Sequence, residues 1–453
     1  MKVLKFGGTS VGTVESLANV KQIVEAIPES AIIVVSALGG ITDRLINTAR
    51  LAAADDAAYR EEMEAISSRH FNVISGIVAE NRRAEVISKV AHLLNDLKRI
   101  FEGISLIRHL PSQTLDLVVS FGERMSSVIV AGMIEDSTLF NSLDFIKTEE
   151  WFGKNIADQQ LTSSLIRDAF SGSFNKAIVP GFISTDRNNG TITNLGRGGS
   201  DFTAALIAAA LDAELLEIWT DVDGFMTADP RLIPNATVVD MMSFVESMEL
   251  CTYGAKVIYP PTIYPVFHKN IPIKILNTFH PSAPGTLITD SANENEFSIK
   301  GVSILRGTSL FTIAQGSLEN MPEIESRTFN SLSRRGIKVY PVASPERGGI
   351  NFAVPADDRH IALNVILSEF APDLQATPSL QPVVEDNLST LAVVGSGLKS
   401  QPRLGARIRH SMMRAGISVK AFSEGTSDST LSFMIDCGAA NDALRIVHEL
   451  VVE

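Results

Sequence analysis

Cysteine is almost missing from this sequence: Cys251 and Cys437 are its only two. With no CxxC pair and no Cys/His cluster, a disulfide framework and a zinc centre are excluded, and both residues read as inert core thiols. Long apolar runs are missing as well. None reaches the ~18 residues of a membrane-spanning helix, and the amino terminus MKVLKFGGTS is too poor in apolar residues for a secretion signal, so a cytoplasmic protein is expected. Basic charge is in deficit, with 39 Lys and Arg against 52 Asp and Glu for a formal charge of −13. The basic residues are scattered, so a polyanion is repelled and nucleic acid is not an expected partner. Disorder and fibre formation do not fit 45% hydrophobic and 20% charged residues. At ~150 residues per domain, 453 residues imply two or three folded units.

The first two-thirds of the chain alternates short apolar runs with amphipathic stretches, the pattern of parallel strands buried on both faces and joined by helices. The fold class is α/β. Val3–Phe6, Ala31–Val35, Leu115–Val119, Ala177–Val179 and Leu215–Trp219 have strand length. They are followed by GGTSVG, SALGG, SFGER, PGF and TDVDG, small or charged segments expected to converge at the carboxyl ends of the strands, where open parallel sheets bind ligands. After the first loop, Val14, Leu17, Val20, Val24 and Ile27 mark one helical face with Thr13 as cap. Residues 57–110 are charged, helical in period and free of motif-like loops, and read as scaffold or lid.

A polar stretch, Asp290–Glu296, predicts a linker. Beyond it the pattern strand, helix, strand, strand, helix occurs twice. The first copy spans Ser309–Ala314, Glu323–Arg335, Ile337–Ala343, Ile350–Pro355 and Arg359–Phe370. The second spans Leu391–Val394, Arg403–Arg414, Ile417–Phe422, Leu431–Asp436 and Asp442–Val452. The joints SRRGIKV and MRAGISV match, each with a glycine where a left-handed helix cap is wanted. A ferredoxin-like βαββαβ unit needs a fourth strand, and the second copy ends on a helix. Phe297–Leu305 is the candidate, which makes the first copy (306–386) an insertion within the second (297–305 with 387–453), behind an amino-terminal domain of residues 1–293.

Glycine-rich turns that open helices offer backbone N–H groups to phosphate. Two occur, KFGGTS at Lys5–Ser10 and LGRGGSD at Leu195–Asp201, and neither is a P-loop. Lys5 and Lys256 could neutralise phosphate oxygens, and Asp221, Asp223 and Asp229 could orient a nucleotide or magnesium. Arg197 offers a fork for a carboxylate and Glu123 an acceptor for an ammonium. Each has a bland reading: the Asp-rich stretch as turns, Lys256 as a solvated lysine, Glu123 as an N-terminal helix carboxylate, Arg197 as a surface ion pair. Together they describe an amino-acid pocket. No histidine lies in these loops, and a carboxylate acceptor, ionised at neutral pH with a pKa near ~4, needs no base.

In order and spacing, KFGGTS, VVSALGGITD, SFGER, PGF, GRGGSD, WTDVDG, TADPR and TYGAKVIYP resemble the aspartate kinases over essentially the whole chain, and the tail resembles their paired ACT domains. KFGG alone would also admit kinases of acetylglutamate or uridylate. The resemblance implies an amino-acid-kinase-type, mostly parallel sheet sandwiched by helices, followed by two ferredoxin-like ACT domains. It implies phosphorylation of L-aspartate by ATP with Mg2+, at the first step of lysine, threonine and methionine biosynthesis, with feedback by an amino acid bound to the ACT pair of a homodimer or higher oligomer. By the same resemblance, Lys5 and Asp201 are catalytic, while Gly7 and Gly8 lie at the transferring phosphoryl group. Ser36, Thr42, Glu123, Arg197, Gly198, Gly199 and Ser200 hold aspartate, and Thr220, Asp221, Phe225, Asp229, Arg231, Lys256 and Val257 hold ATP. No dedicated metal ligand is implied. Two departures stand out. Tyr340, in IKVYPVASPE, takes the place of an aspartate found in lysine-inhibited members, and no dinucleotide fingerprint follows the ACT pair, which reads as monofunctional. The competing readings are a kinase with another acceptor and a sensor whose kinase domain has decayed, although Lys5, Arg197, Asp201 and Lys256 are intact.

Overall fold

The structure is a computed structural model that describes residues 1–151, 153–290, 299–313, 321–343, 349–375, 378–398, 401, 403–424 and 429–452. The chain divides into two compact units, Met1–Phe225 with Val257–Asp290, and Met226–Lys256 with Ser291–Glu453. The segment Met226–Lys256 therefore groups with the carboxyl-terminal part of the chain. The expected linker lies, from residue 291 on, outside the described residues.

In the first unit the main sheet runs in the order Thr286–Thr289, Ile273–Asn277, Leu215–Thr220, Lys2–Phe6, Ala31–Val35, Lys176–Pro180, Ser137–Leu139. It is parallel except for the antiparallel Thr286–Thr289. All five residues of Ala31–Val35 are buried, as helices covering both faces require. Thr13 caps the helix Val14–Glu25 in a capping box with Ser16. A smaller sheet, Lys154–Ala157, Lys147–Trp151, Ile183–Asp186, Ile192–Asn194, extends from the same unit.

Four of the five expected strands are present. The fifth, Leu115–Val119, is instead part of the helix Ser112–Met133. Val118, Val119, Phe121, Met125, Ile129, Val130 and Met133 are all buried along this helix, so apolar side chains ring it and its periodicity is lost in a continuous run. SFGER is consequently a helical turn, and Glu123 projects from a rigid element.

The second unit is built on two long antiparallel strands, Gly301–Ile313 and Val383–Val394. Ile350–Pro355 and then Tyr340–Pro341 extend the sheet on one side, Thr430–Asp436 and then Val419–Glu424 on the other. Gly301–Leu305 pairs with Thr390–Val394, which places the strand preceding the first copy beside the opening strand of the second. The outermost strands meet, because Ala343 and Phe422 exchange two backbone hydrogen bonds of 2.8 Å. The sheet thus curls closed, leaving no long free edge. Leu310, Tyr340, Ala353, Leu388, Ala421 and Met434 cluster together, and Phe311, Ile313, Phe352 and Val354 form a separate core with the helices Met321–Arg334 and Arg359–Glu369. Leu391, Val393, Phe433 and Ile435 do the same with Leu404–Arg414 and Ala440–Val452. Gly336 and Gly416 take φ of 66° and 78° at the two joints.

The helix Phe244–Thr252 packs against both long strands. Its Glu246, 1% exposed, closes a capping box with Ser243 through Oε2 and accepts the Ser396 N–H on Oε1 at 2.8 Å. Glu246→Ala leaves both donors unpaired, and urea unfolding should show a loss of about 2 kcal/mol.

Candidate active site

Lys2–Phe6 and Ala31–Val35 end side by side, and the loops that leave them touch through bare backbone. A Cβ on Gly39 would lie 2.9 Å from the Gly8 carbonyl oxygen, and one on Gly8 would lie 3.2 Å from that of Ala37. Only residues without a side chain allow this approach. Beside these loops lies a cavity of about 330 Å³ lined by Lys5, Gly8, Ser36, Ala37, Leu38, Gly39, Gly40, Thr42, Glu123, Phe182, Gly196, Arg197, Gly198, Gly199, Ser200 and Asp201. Segments separated by more than 150 residues thus meet at the carboxyl ends of the strands.

Lys5 closes its strand with Nζ 2.5 Å from Asp201 Oδ1, and both side chains are nearly buried. Asp201 sits in the first turn of the helix Gly199–Ala210, whose amino-terminal residues face the cavity and offer N–H groups to an anion. Gly7 lies against Lys5: a Cβ there would be 3.5 Å from Nζ.

Glu123 is 4% exposed. Its Oε1 accepts the Ala37 N–H at 3.1 Å, while Oε2 has no partner among the described residues. Burial pushes the carboxyl pKa from 4.5 up to about 8, against the opposing pull of the backbone N–H groups and of Lys5. Once the carboxyl ionises, that free oxygen is an acceptor suited to a cation.

Arg197, exposed and without a hydrogen bond or ion pair among the described residues, rides on a loop that is held at both ends. Asn194 Oδ1 accepts the Gly196 N–H at 2.9 Å, and Asn194 Nδ2 donates to Asp116 Oδ1 at 2.5 Å. Burial raises the Asp116 carboxyl pKa, and the amides of Asn155 and Asn194 partly offset this. At the far end Gly198 takes φ 70°, and a Cβ there would strike the Tyr259 side chain at 2.3 Å. Phe182 also lines the cavity at φ 68°, a conformation costing an aromatic residue ~1–3 kcal/mol. The Thr203 hydroxyl accepts its N–H and its carbonyl accepts that of Leu195, so the strain is held in place. Asn194 and Asp116 carry no motif of their own and only the hydrogen-bond chain reveals them, while Phe182, the last residue of PGF, is singled out further by its positive φ.

The residues expected at the nucleotide divide between the units and do not line this cavity. Thr220, Asp221, Phe225 and Val257 belong to the first unit. Phe225 is a core residue at 1% exposure, its N–H donating to Thr286 Oγ1 at 2.8 Å. Asp229, Arg231 and Lys256 belong to the second, where Arg231 forms a bidentate pair with Asp229 at 2.7 and 2.9 Å. Asp223, raised as a possible ligand orienter, accepts the Asn277 amide at 2.6 Å. Among the described residues no group of three or more His, Cys, Asp or Glu is placed to hold a metal ion. None of their helices is long and apolar enough to cross a membrane. The cavity sets the buried Glu123 carboxyl and the Lys5–Asp201 pair beside the Arg197 guanidinium and a helix amino terminus, a set suited to a small zwitterion bearing extra negative charge.

Residues 1–277 match the amino acid kinase family and residues 391–450 match an ACT domain. A bifunctional aspartokinase/homoserine dehydrogenase of Haemophilus influenzae is 31% identical over 99% of this chain, which spans 56% of that relative. The chain thus spans about half the length of this and other bifunctional curated relatives it matches. Escherichia coli aspartokinase III, in complex with aspartate and ADP in the R-state, superposes with a TM-score of 0.84 at 26% identity and full coverage of both chains. The same enzyme with lysine and aspartate in the T-state gives a TM-score of 0.73.

The buried Glu123 carries a stability signature. Its folded pKa of about 8 exceeds the unfolded 4.5, so the folded state holds the extra proton between those values and stability falls as pH rises through that window. Glu123→Gln should remove this loss: thermal melts of the ligand-free proteins should separate towards pH 8, with the variant the more stable.

Proposed function

Because the chain belongs to the amino acid kinase family, we propose that it transfers the γ-phosphoryl group of ATP to the side-chain carboxylate of L-aspartate, giving 4-phospho-L-aspartate at the entry to lysine, threonine and methionine biosynthesis. The observation that carries this reading is the single cavity in which Lys5 with Asp201, the unpartnered Glu123 oxygen and the unpaired Arg197 fork face one another. Arg197 takes the α-carboxylate as a bidentate pair, and Glu123 Oε2 takes the ammonium. Ser36, Thr42 and the N–H groups of Gly198, Gly199 and Ser200 position the remainder. An acetylated amine would leave the Glu123 oxygen buried without a cation, which favours a free amino acid over acetylglutamate.

A carboxylate oxygen of the aspartate side chain attacks the γ-phosphorus as the bond to the β-phosphate oxygen breaks, and ADP leaves. The attacking group is already ionised, so no proton has to be removed, in keeping with the absence of histidine from the cavity lining. Lys5, held by Asp201, neutralises charge on the transferring group, with Gly7 and Gly8 offering close backbone approach. Thr220, Asp221, Phe225, Asp229, Arg231, Lys256 and Val257 are our assignment for the nucleotide side. The carboxylates among them form no cluster able to cage a metal ion, so Mg2+ would arrive with the nucleotide and would offset phosphate charge there.

In the same reading the catalytic domain is residues 1–293, the first ACT domain is 306–386 inserted in the second (297–305 with 387–453), and the pairing of Gly301–Leu305 with Thr390–Val394 supports that insertion. The enzyme works in the cytoplasm as a homodimer or higher oligomer. An amino acid bound at the ACT pair shifts it between more and less active states.

Hydroxylamine traps acyl phosphates, so Mg-ATP with L-aspartate should yield aspartyl hydroxamate. Arg197→Ala should raise KM for aspartate by roughly 10- to 100-fold, the worth of a lost charge-assisted pair. A folded enzyme that makes no hydroxamate from aspartate contradicts the assignment. Because only ionised Glu123 can pair with the ammonium, kcat/KM for aspartate should climb with pH to a plateau above about 8, and Glu123→Gln should abolish that dependence.

A further inference from the structure

Arg69 lies on the helix Ala58–Ile77, within the segment that reads from sequence as scaffold. Its Nη2 donates to the Gly39 carbonyl at 2.6 Å and to the Gly12 carbonyl at 3.2 Å. Gly12 closes the loop that begins with Gly7 and Gly8, and Gly39 belongs to the loop that carries Ser36 and leads to Thr42. Neither carbonyl accepts a backbone N–H among the described residues, so the guanidinium is their shared partner. The two loops meet through glycine backbone, where a Cβ on Gly39 would lie 2.9 Å from the Gly8 carbonyl oxygen. Arg69 itself does not line the cavity. Placing a cation there is costly: burial first, then repulsion from Arg44, pull the guanidinium pKa below its usual value. A side chain that touches both loops and does not line the cavity points to a geometric task.

We propose that Arg69 is a positioning residue that locks the phosphoryl-side loop against the acceptor-side loop and so sets the distance between ATP and the attacking carboxylate. The proposal rests on the phosphoryl-transfer reading above. Misplacement of reacting groups by about 1 Å costs on the order of 100-fold in rate while leaving each ligand's own contacts in place. The loss should therefore appear in kcat and not in KM.

The test is steady-state kinetics of the full chain by hydroxamate formation, with aspartate affinity measured by calorimetry. Arg69→Met keeps the side-chain length and removes every donor. Arg69→Lys keeps the charge and a single nitrogen able to reach both carbonyls. We expect R69M to lower kcat at least about tenfold, with both KM values and the aspartate affinity within about twofold of wild type, and R69K to recover part of the loss. If R69M does not fold, R69K alone decides, through a kcat reduced several-fold at unchanged KM. An active wild type with kcat unchanged in R69M and R69K, or with the loss confined to KM, overturns this proposal alone. A wild type that makes no hydroxamate overturns the aspartate reading and this proposal with it.

Discussion

A carboxylate taken almost wholly out of water, with one oxygen left without a partner among the described residues, is costly to hold, and the cavity is organised around it. Glu123 can be carried there because it projects from a 22-residue helix buried on most sides, which cannot yield to let water in. The Ala37 N–H satisfies one oxygen and ties the carboxylate to the second glycine loop. That loop rests on the first, which emerges from the strand ending in Lys5 and Phe6. In the proposed reading, one buried acceptor thereby fixes the relation between the ammonium seat and the phosphoryl side of the cavity. In the same reading, removing it should relieve the folded protein while disabling the pocket, the usual tension between stability and function.

The second unit solves a different problem with duplicated parts. Two βαββαβ copies share a pair of long strands, and the outermost strands bond to each other, so the fold covers its own sheet edges. Each copy keeps its own helix pair and core, while a third cluster containing Tyr340 and Met434 unites residues of both. The segment Met226–Lys256 belongs to this unit through Glu246 and through the Val302 N–H, which donates to the Thr227 carbonyl at 2.8 Å. It leaves the chain next to Phe225 and returns next to Val257.

Much of this architecture can be read from the residues alone, for physical reasons. Strands buried on both faces must be continuously apolar, so Ala31–Val35 and Leu215–Thr220 declare themselves. The loops that follow need glycine, so Gly7, Gly8, Gly39 and Gly198 mark the cavity. The same logic misplaces Leu115–Val119, because a helix buried all round is apolar all round and only its length separates it from a strand. Arg69, Asn194 and Asp116 are invisible to any motif: their roles consist of hydrogen bonds to backbone or amide groups far away in sequence, and nothing in their local pattern distinguishes them from solvated surface residues. The grouping of Met226–Lys256 is equally hidden, since it depends on contacts with residues 150 and 221 positions later.

The central claim is that the Glu123 carboxylate, protonated in the empty pocket, is the seat of the substrate ammonium. The most direct measurement is calorimetry of L-aspartate binding at neutral pH in buffers of different ionisation enthalpy, which counts the protons exchanged. Pairing with the ammonium requires the ionised carboxylate, so binding should release a substantial fraction of a proton in the wild type and almost none in Glu123→Gln. Aspartate binding without proton release in the wild type, or with equal release in both proteins, would contradict the account.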